Sequence, residues 1–426
     1  MSSQPDPSQS RPGHYRWVIC GLLLAAMAIN YVQRQTIGLL KTPLQHEFAL
    51  TEQGYANIVF WFQAAYAIGY VSFGRVLDHL GARIGYTVAF VLWNLSHMAA
   101  GLAMSAAQFT VARVGLGLGE SGAFPSSLKA IAEWFPQRER ALAAGIFNAG
   151  TNVGAIIAPA IVPVLTLTWG WRASFWVTGA VGLLWLIAWL VIYRPPQLHP
   201  RVNAGELALI QSDAVEAAPP IRWWRLLGLK ETWAYGVARF LIDPIWWFYL
   251  FWLPDFLDKT YQLDLRSFGP PLIAIYLISD AGSVLGGWSS SALLKRGASV
   301  NLARKLTMLI CALLVLPVLW VGGARELWLA VLLIGLAAAA HQGFSATVYT
   351  LPSDTLPRSA VASVIGIGGM MGALGGMLFS QVVGRILQTS GSYPVLFTIA
   401  ASVYLVALLL VHLLSPRLAR VGGGGP

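Results

Sequence analysis

Residues 17–40 read WVICGLLLAAMAINYVQRQTIGLL. In length and apolar content this is a membrane-crossing helix, which needs about 20 residues at 1.5 Å each. Yet Asn30, Gln33, Arg34 and Gln35 sit inside it. A charge near the bilayer centre costs at least about 2.5–3.5 kcal/mol. Either the stretch does not span, or Arg34 faces a polar cavity lined by protein. The choice between those two readings decides the fold, and the rest of the chain makes it.

Of the 426 residues, 56% are hydrophobic and 11% charged, with a mean hydropathy of +0.63. Soluble domains carry about 25% charged residues, so this composition cannot cover a soluble surface and implies an integral membrane protein. The net charge of +10 does not point to nucleic acid, because the basic residues fall in short loops between apolar runs. Cys20 and Cys311 both lie in apolar runs, which speaks against a structural disulfide, and no Cys/His metal cluster is present. Arg11 and Arg16 precede the first apolar run in the manner of a secretory signal, but no small-residue cleavage site follows, so an uncleaved first helix is expected.

Twelve runs can span a bilayer, at about 17–40, 55–77, 84–104, 106–133, 139–163, 171–193, 231–258, 267–293, 303–321, 327–352, 359–388 and 393–415. With the N-terminus in the cytoplasm, 18 of the 28 Lys and Arg residues fall in cytoplasmic segments and 5 in the opposite loops. The positive-inside bias therefore predicts that both termini are cytoplasmic. The polar stretch 194–230 divides the spans six and six. The expected organisation is a cytoplasmic tail (1–16), a six-helix bundle (17–193), a cytoplasmic linker (194–230), a second bundle (231–415) and a second tail (416–426).

The halves share a register. Pro136 and Pro357 each end a span, with glycines nine residues later (Gly145, Gly366) and nine beyond that (Gly154, Gly375). Matches in register imply an internal duplication, and duplicated halves around a mid-membrane site are a transporter architecture. The predicted fold is thus an all-α integral membrane protein of twelve transmembrane helices in two pseudo-symmetric six-helix halves. A membrane enzyme would need a nucleophile or metal set, and no H-E-x-x-H or Ser/His/Asp set is evident. A channel would call for a pore loop and subunit symmetry. The implied molecule is a monomeric carrier with the lipid bilayer as partner, no nucleic acid and no cofactor.

Between the second and third spans stands GRVLDHLGAR, Gly74 to Arg83. It resembles the G-x-x-x-D-x-x-G-x-R loop of the major facilitator superfamily, with Gly74, Asp78, Gly81 and Arg83 at the motif positions. In such a loop Asp78 is suited to cap a helix end while the arginines brace neighbouring helices. NYVQRQTIGLL, FQAAYAIGY, RVGLGLGESGAFPSSLKAIAEWFP and LIDPIWWFYLFWLPDFL are similar to blocks of the anion:cation symporter family, most of all its bacterial hexuronate transporters. The resemblance covers about residues 15–415. It implies proton-coupled uptake of a sugar acid, such as glucuronate or galacturonate, by alternating access in a bacterial inner membrane, with galactonate or another small organic anion as the alternative. Protons would be the coupling ion.

The residues themselves suggest a site. Arg113 and Glu120 are seven apart, so they share a helix face about 10 Å apart along the axis. Arg34 and Arg113 lie at similar depth, which suggests one anion site, because guanidinium forks match carboxylates; either could instead pair with an internal carboxylate for structure alone. Glu120 is the acidic residue deep in the first half. A carboxyl away from water favours its neutral form, which suits a proton carrier, although a permanent pair with Arg113 is the other reading. The resemblance makes Glu120 the family's proton-binding glutamate and puts Tyr31 and Tyr66 at polar pocket positions, where packing alone is the competing role. The family usually reads N-Y-x-D-R where this chain has Gln33, which cannot titrate, so two-proton coupling is in doubt. Glu120 alone would have to serve, and the expectation is that substrate binds while proton-driven accumulation is weakened or decoupled. Asn148 offers a hydrogen-bonding group, or helix–helix glue. Asp243, beside Pro244, is a second proton site or the partner of Arg239. Trp246 and Trp247 offer an apolar face to a sugar ring, or sit in an interfacial belt. His341 and Gln342 occupy the repeat position of Glu120, and His341 either senses pH or is structural.

Overall fold

The computed structural model describes residues 13–212 and 223–418. The expected tails and linker therefore lie partly outside the described residues, as do Arg11, Arg222, Arg420 and the terminal glycines. Among the described residues there are fifteen α-helices and no strand. They are α1 (Tyr15–Leu39), α2 (Lys41–Phe48), α3 (Glu52–Ala100), α4 (Ala106–Glu120), α5 (Ala123–Trp134), α6 (Gln137–Trp169), α7 (Trp171–Ile192), α8 (Ala204–Ile210), α9 (Trp223–Leu227), α10 (Lys230–Tyr261), α11 (Gly269–Lys295), α12 (Val300–Val315), α13 (Leu327–Thr355), α14 (Arg358–Ser390) and α15 (Tyr393–Leu414).

These helices supply twelve spans. Eight, among the described residues, are long and apolar enough to cross a membrane on length and composition alone. The other four come from α3, from α4 with α5, and from α10. The α3 helix holds two spans that meet at Gly81, whose φ of 72° and ψ of 173° reverse the chain in a single residue. A positive φ costs glycine nothing, which gives that motif position its reason. The fourth span breaks after Glu120, where Ser121 and Gly122 separate α4 from α5. Pro125, just beyond, cannot donate the backbone bond that would carry the helix through. The α10 helix falls short because it carries Arg239, Asp243, Asp255, Asp258 and Lys259.

The duplication is visible in the packing. Gly150 and Gly154 of α6 lie against the carbonyls of Leu24 and Ala28 in α1, and in the second half Gly375 of α14 lies against the carbonyl of Phe240 in α10. That carbonyl is the one Pro244 leaves without its usual partner four residues on. The expected role of Asp78 as a helix cap is corrected. It sits in the last turn before Gly81, where the orphan groups are carbonyls that a carboxylate cannot satisfy. Lys129 does that work, its Nζ donating to the carbonyl of Leu77 at 2.6 Å and lying 3.7 Å from the Asp78 carboxylate. Arg83 braces α7 through a 2.7 Å bond to the carbonyl of Leu190. Gly74 has open space around it, and nothing in the structure explains a glycine there.

Within the 194–230 segment, α8 is held fast to the first half. Glu206 in α8 accepts from the backbone N–H of Arg16 at 3.0 Å and from its Nη1 at 3.2 Å, and Arg16 also pairs with Glu139 at 2.8 Å.

The halves close on each other at one end. There α1, α2 and the start of α3 meet the end of α10 and the end of α14. Tyr55 donates to the carbonyl of Phe251 at 3.0 Å, Thr42 to Asp258 at 2.9 Å and Gln53 to Gln381 at 2.7 Å. Lys41 joins them, 2.6 Å from Asp255 and 2.7 Å from Glu52.

Candidate substrate site

Between the halves lies a cavity of about 990 Å³, counting its open mouth. From the first half it is walled by α1, α3, α4–α5 and α6, and from the second by α10, α11, α13 and α14. On α1, Asn30 and Arg34 are one turn apart and so face it together. Arg34 Nη2 donates to Asn30 Oδ1 at 3.1 Å and lies 3.3 Å from the hydroxyl of Tyr66. Its guanidinium sits 4.8 Å from the ring centre of Tyr31, 5.0 Å from that of Tyr66 and 5.0 Å from that of Trp247, so the second half also covers it. Cation–π contacts of this kind gain strength away from water. Arg34 Nε donates to Glu120 Oε2 at 2.7 Å, and Glu120 is fully buried.

Two sequence expectations give way here. Arg113 does not line the cavity. It stands behind α1, its guanidinium 4.6 Å from the ring centre of Phe62 and its Nη2 3.4 Å from the backbone carbonyl of Arg34. The pairing of Glu120 with Arg113 is likewise replaced: the helix ends at Glu120, and the carboxylate reaches α1 instead. Gln33 also points elsewhere. Successive helical residues are 100° apart, so if Arg34 faces the cavity its neighbour faces the bundle interior. Gln33 Nε2 donates to Asn94 Oδ1 at 2.8 Å and to the carbonyl of Thr178 at 3.2 Å.

The second half contributes a matching pair. Arg239 Nη2 lies 2.6 Å from Asp243 Oδ2, one turn along α10, and the guanidinium lies 4.2 Å from the ring centre of Tyr349. Trp246 stacks on His341 at 5.5 Å with 6° between the planes, and His341 Nδ1 shares a 2.8 Å hydrogen bond with the hydroxyl of Tyr404. Asn148 and Gln342 complete the polar wall. The structure thus brings together Arg34, Tyr31, Tyr66, Glu120, Asn148, Asp243, Trp246, His341 and Gln342, and leaves Arg113 and Gln33 outside the cavity.

Sequence reasoning missed Tyr70, Asn152, Arg239 and Tyr349 as wall residues. The available signal was spacing: Asn148 and Asn152 are four apart, and His341 and Tyr349 eight, which keeps each set on one helix face. Chemically, the cavity offers two guanidinium groups, each held by a carboxylate that can trade places with an incoming anion. Among the described residues no His/Cys/Asp/Glu group is arranged to hold a metal ion.

The sequence profile described as Major Facilitator Superfamily matches residues 23–380. The chain belongs to that superfamily. As a member it is a membrane transporter rather than an enzyme. It is 32% identical over 403 residues to the hexuronate transporter of Escherichia coli strain K12, covering 93% of each chain. With the galacturonate transporter of Dickeya chrysanthemi it shares 32% over 308 residues, 71% of this chain and 89% of that one. With a D-galactonate transporter of Escherichia coli O6:H1 it shares 28% over 427 residues, 97% and 98% of the two chains. The fold is that of a D-xylose–proton symporter, with a TM-score of 0.73, 16% identity and coverage of 93% of this superfamily member and 97% of the symporter.

Proposed function

We propose that this transporter carries a sugar acid into the cell together with protons, and that the acid is a hexuronate such as glucuronate or galacturonate. The observation that carries the reading is Arg34 in the cavity with Glu120 as its resident partner. While Glu120 is ionised it occupies the guanidinium. When Glu120 takes a proton its attraction falls, and Arg34 is free to bind the carboxylate of the substrate in the bidentate geometry guanidinium favours. Proton and anion therefore load together. Tyr31, Tyr66, Asn148 and Gln342 offer hydrogen bonds to sugar hydroxyls, while Trp246, backed by His341, offers a flat apolar face to the ring. Arg113 supplies positive charge near Glu120 rather than a substrate contact. Asp243 is the candidate for a second proton.

The positive-inside bias puts the closed end at the outer face of a bacterial inner membrane, both termini in the cytoplasm and the cavity open inward. The 32% identity to a hexuronate transporter supports this substrate, and the 28% identity to a D-galactonate transporter supports galactonate as the alternative. The test is uptake of radiolabelled glucuronate and galactonate into proteoliposomes, with and without an inward proton gradient, for this chain and for Gln33→Asp. Gradient-driven accumulation of glucuronate by the unaltered chain is expected, since Gln33 lies outside the cavity. Accumulation by Gln33→Asp alone would assign coupling to position 33, and saturable uptake of galactonate without glucuronate would overturn the substrate.

A further inference from the structure

We infer that Asp280 is a proton-operated latch of the cavity mouth, which shuts onto this carboxyl only when it carries a proton. This rests on the reading of the chain as an alternating-access carrier, and it concerns a residue that neither the cavity wall nor the closed end uses.

Asp280 stands about 16 Å into α11 from Gly269, near the middle of the hydrocarbon core. An ionisable group at that depth marks a functional position. Among the described residues it has neither an ion pair nor a hydrogen bond. Its neighbours fix the face it occupies. Gly269 lies three full turns earlier on the same side of the helix, and a Cβ there would stand 3.0 Å from the carbonyl oxygen of Pro159 in α6. Tyr276, one turn before Asp280, accepts from Gln35 of α1 at 2.6 Å, and Ser283, one turn after it, lines the cavity. Asp280 therefore lies along the seam between α11 and the first half.

That seam is shut at one end and open at the other. Away from the contact of Gly269 with Pro159, Gly287 on α11 and Gly145 on α6 both face open space. The start of α11 meets the far part of α6, while Ser283 shares the cavity with Asn148, so the two helices run antiparallel. The α6 residue level with Asp280 is then Asn148, three turns before Pro159 and on the same side. Asn148 is exposed. Bringing α6 and α11 together at the mouth lays Asp280 against it. A neutral carboxyl exchanges two hydrogen bonds with an amide, O–H to Oδ1 and Nδ2–H to the carboxyl oxygen. A carboxylate makes only the second, and carries an unpaired charge into a closed seam, which is costly.

No cation stands ready to pair with it. After Arg140, α6 carries no charge. From α13 come His341, bonded to Tyr404, Tyr349 at the cavity, and Asp354, held by Arg304 of α12. The α12 helix adds Cys311 and Lys305, the latter bonded to the carbonyls of Ser415 and Pro416. Arg34 of α1 and Arg239 of α10 are held by Glu120 and Asp243. Shutting the mouth thus takes up a proton, and opening releases it. A group that holds its proton more tightly in the shut form draws out that form as pH falls. The shut form is an occluded one, with the pairs of Lys41 and Lys259 at the closed end still in place.

Spin labels at Arg138 and Arg296, at the mouth ends of α6 and α11, test this in the purified full chain. From about pH 8 to about pH 5 the ratio of short to long distances should rise by up to about tenfold per pH unit, the slope one proton allows. Asp280→Asn, neutral throughout, should hold the short distance over the whole range. Asp280→Glu should restore the dependence, and Asp280→Ser replaces Asp280→Asn if that variant does not stay monodisperse. An unaltered chain without pH dependence, a dependence that persists in the neutral variants, or neutral variants that rest at the long distance overturn the inference and leave the carrier reading standing. A distance that neither pH nor added glucuronate moves overturns both.

Discussion

The two ends of the molecule use the same chemistry for opposite purposes. At the closed end, Lys41 Nζ sits between Asp255 and Glu52, and Lys259 Nζ bridges the same two carboxylates at 3.1 and 2.6 Å. The hydroxyl of Tyr393 also donates to Asp255. Lys41 and Glu52 belong to the first half, and Asp255, Lys259 and Tyr393 to the second. At the open end the ion pairs among the described residues stay at home: Arg304 pairs with Asp354 within the second half at 2.8 Å, and Arg16 with Glu139 within the first. Parting the halves at the open end therefore breaks none of these pairs, whereas parting them at the closed end strands buried charges. This asymmetry makes the closed end the one that resists opening in the structure at hand.

The comparison can be broken at its strongest point. Asp255→Asn leaves the buried Lys41 without its nearest carboxylate, a loss of about 3–5 kcal/mol for a buried pair. Spin labels at His46 and Arg266, on opposite halves of the closed end, should then show a longer distance population dominating the unaltered one. An unchanged distribution would mean that packing, not charge, holds that end.

Glycine substitutions sharpen the difference between joining the halves and building one. Gly38 lies against the carbonyl of Leu250 across the two halves, whereas Gly286 lies against Gly343 inside the second half. Either glycine replaced by leucine overpacks its contact by about 1–3 kcal/mol. Gly286→Leu should lower the melting temperature of the purified chain. Gly38→Leu should leave melting nearly as it was and lengthen the same spin-label distance. Equal effects of the two on melting would contradict the division.

A third handle is pH. Burial alone would raise the Glu52 carboxyl, but Lys41 and Lys259 outweigh it and bring it from 4.5 down to about 2. A depressed carboxyl lends its stability above its ordinary value and loses it as pH falls toward the depressed one. The closed end should thus be indifferent to pH between 7 and about 5, and loosen only as the medium falls from about 4 toward 2. Opening already at pH 6 in the spin-label distances would point to another titrating group. The smallest effect belongs to Lys129→Ala at the open end. Its ion pair is with an Asp78 side chain 81% exposed, at 3.7 Å, and such surface pairs are worth about 0–1 kcal/mol. The remaining loss is the single bond to the carbonyl of Leu77, so a melting shift of a few degrees at most is expected.

Much of this architecture is legible without coordinates, because hydropathy and loop charge are local properties. Twelve apolar runs, the six-and-six division and the register of Pro136 with Pro357 all follow from reading along the chain. So does the demand that Arg34 face something other than lipid, since no neighbour in sequence can meet the cost of its charge. What sequence could not choose was its partner. Arg113 and Glu120 were linked by spacing on one helix, yet Glu120 turned to Arg34, 86 positions away, because α4 ends there and α1 crosses close by. Lys41 and Lys259 read as ordinary loop cations, but they lie in a cluster with Asp255 that only the meeting of α2, α3 and α10 creates. Gln33 and Arg34 are adjacent letters with opposite surroundings, since one helical step turns the chain by 100°. Solvation, a property of each residue, was decided by sequence alone; pairing, a property of distance between helices, was decided by the packing of the two halves.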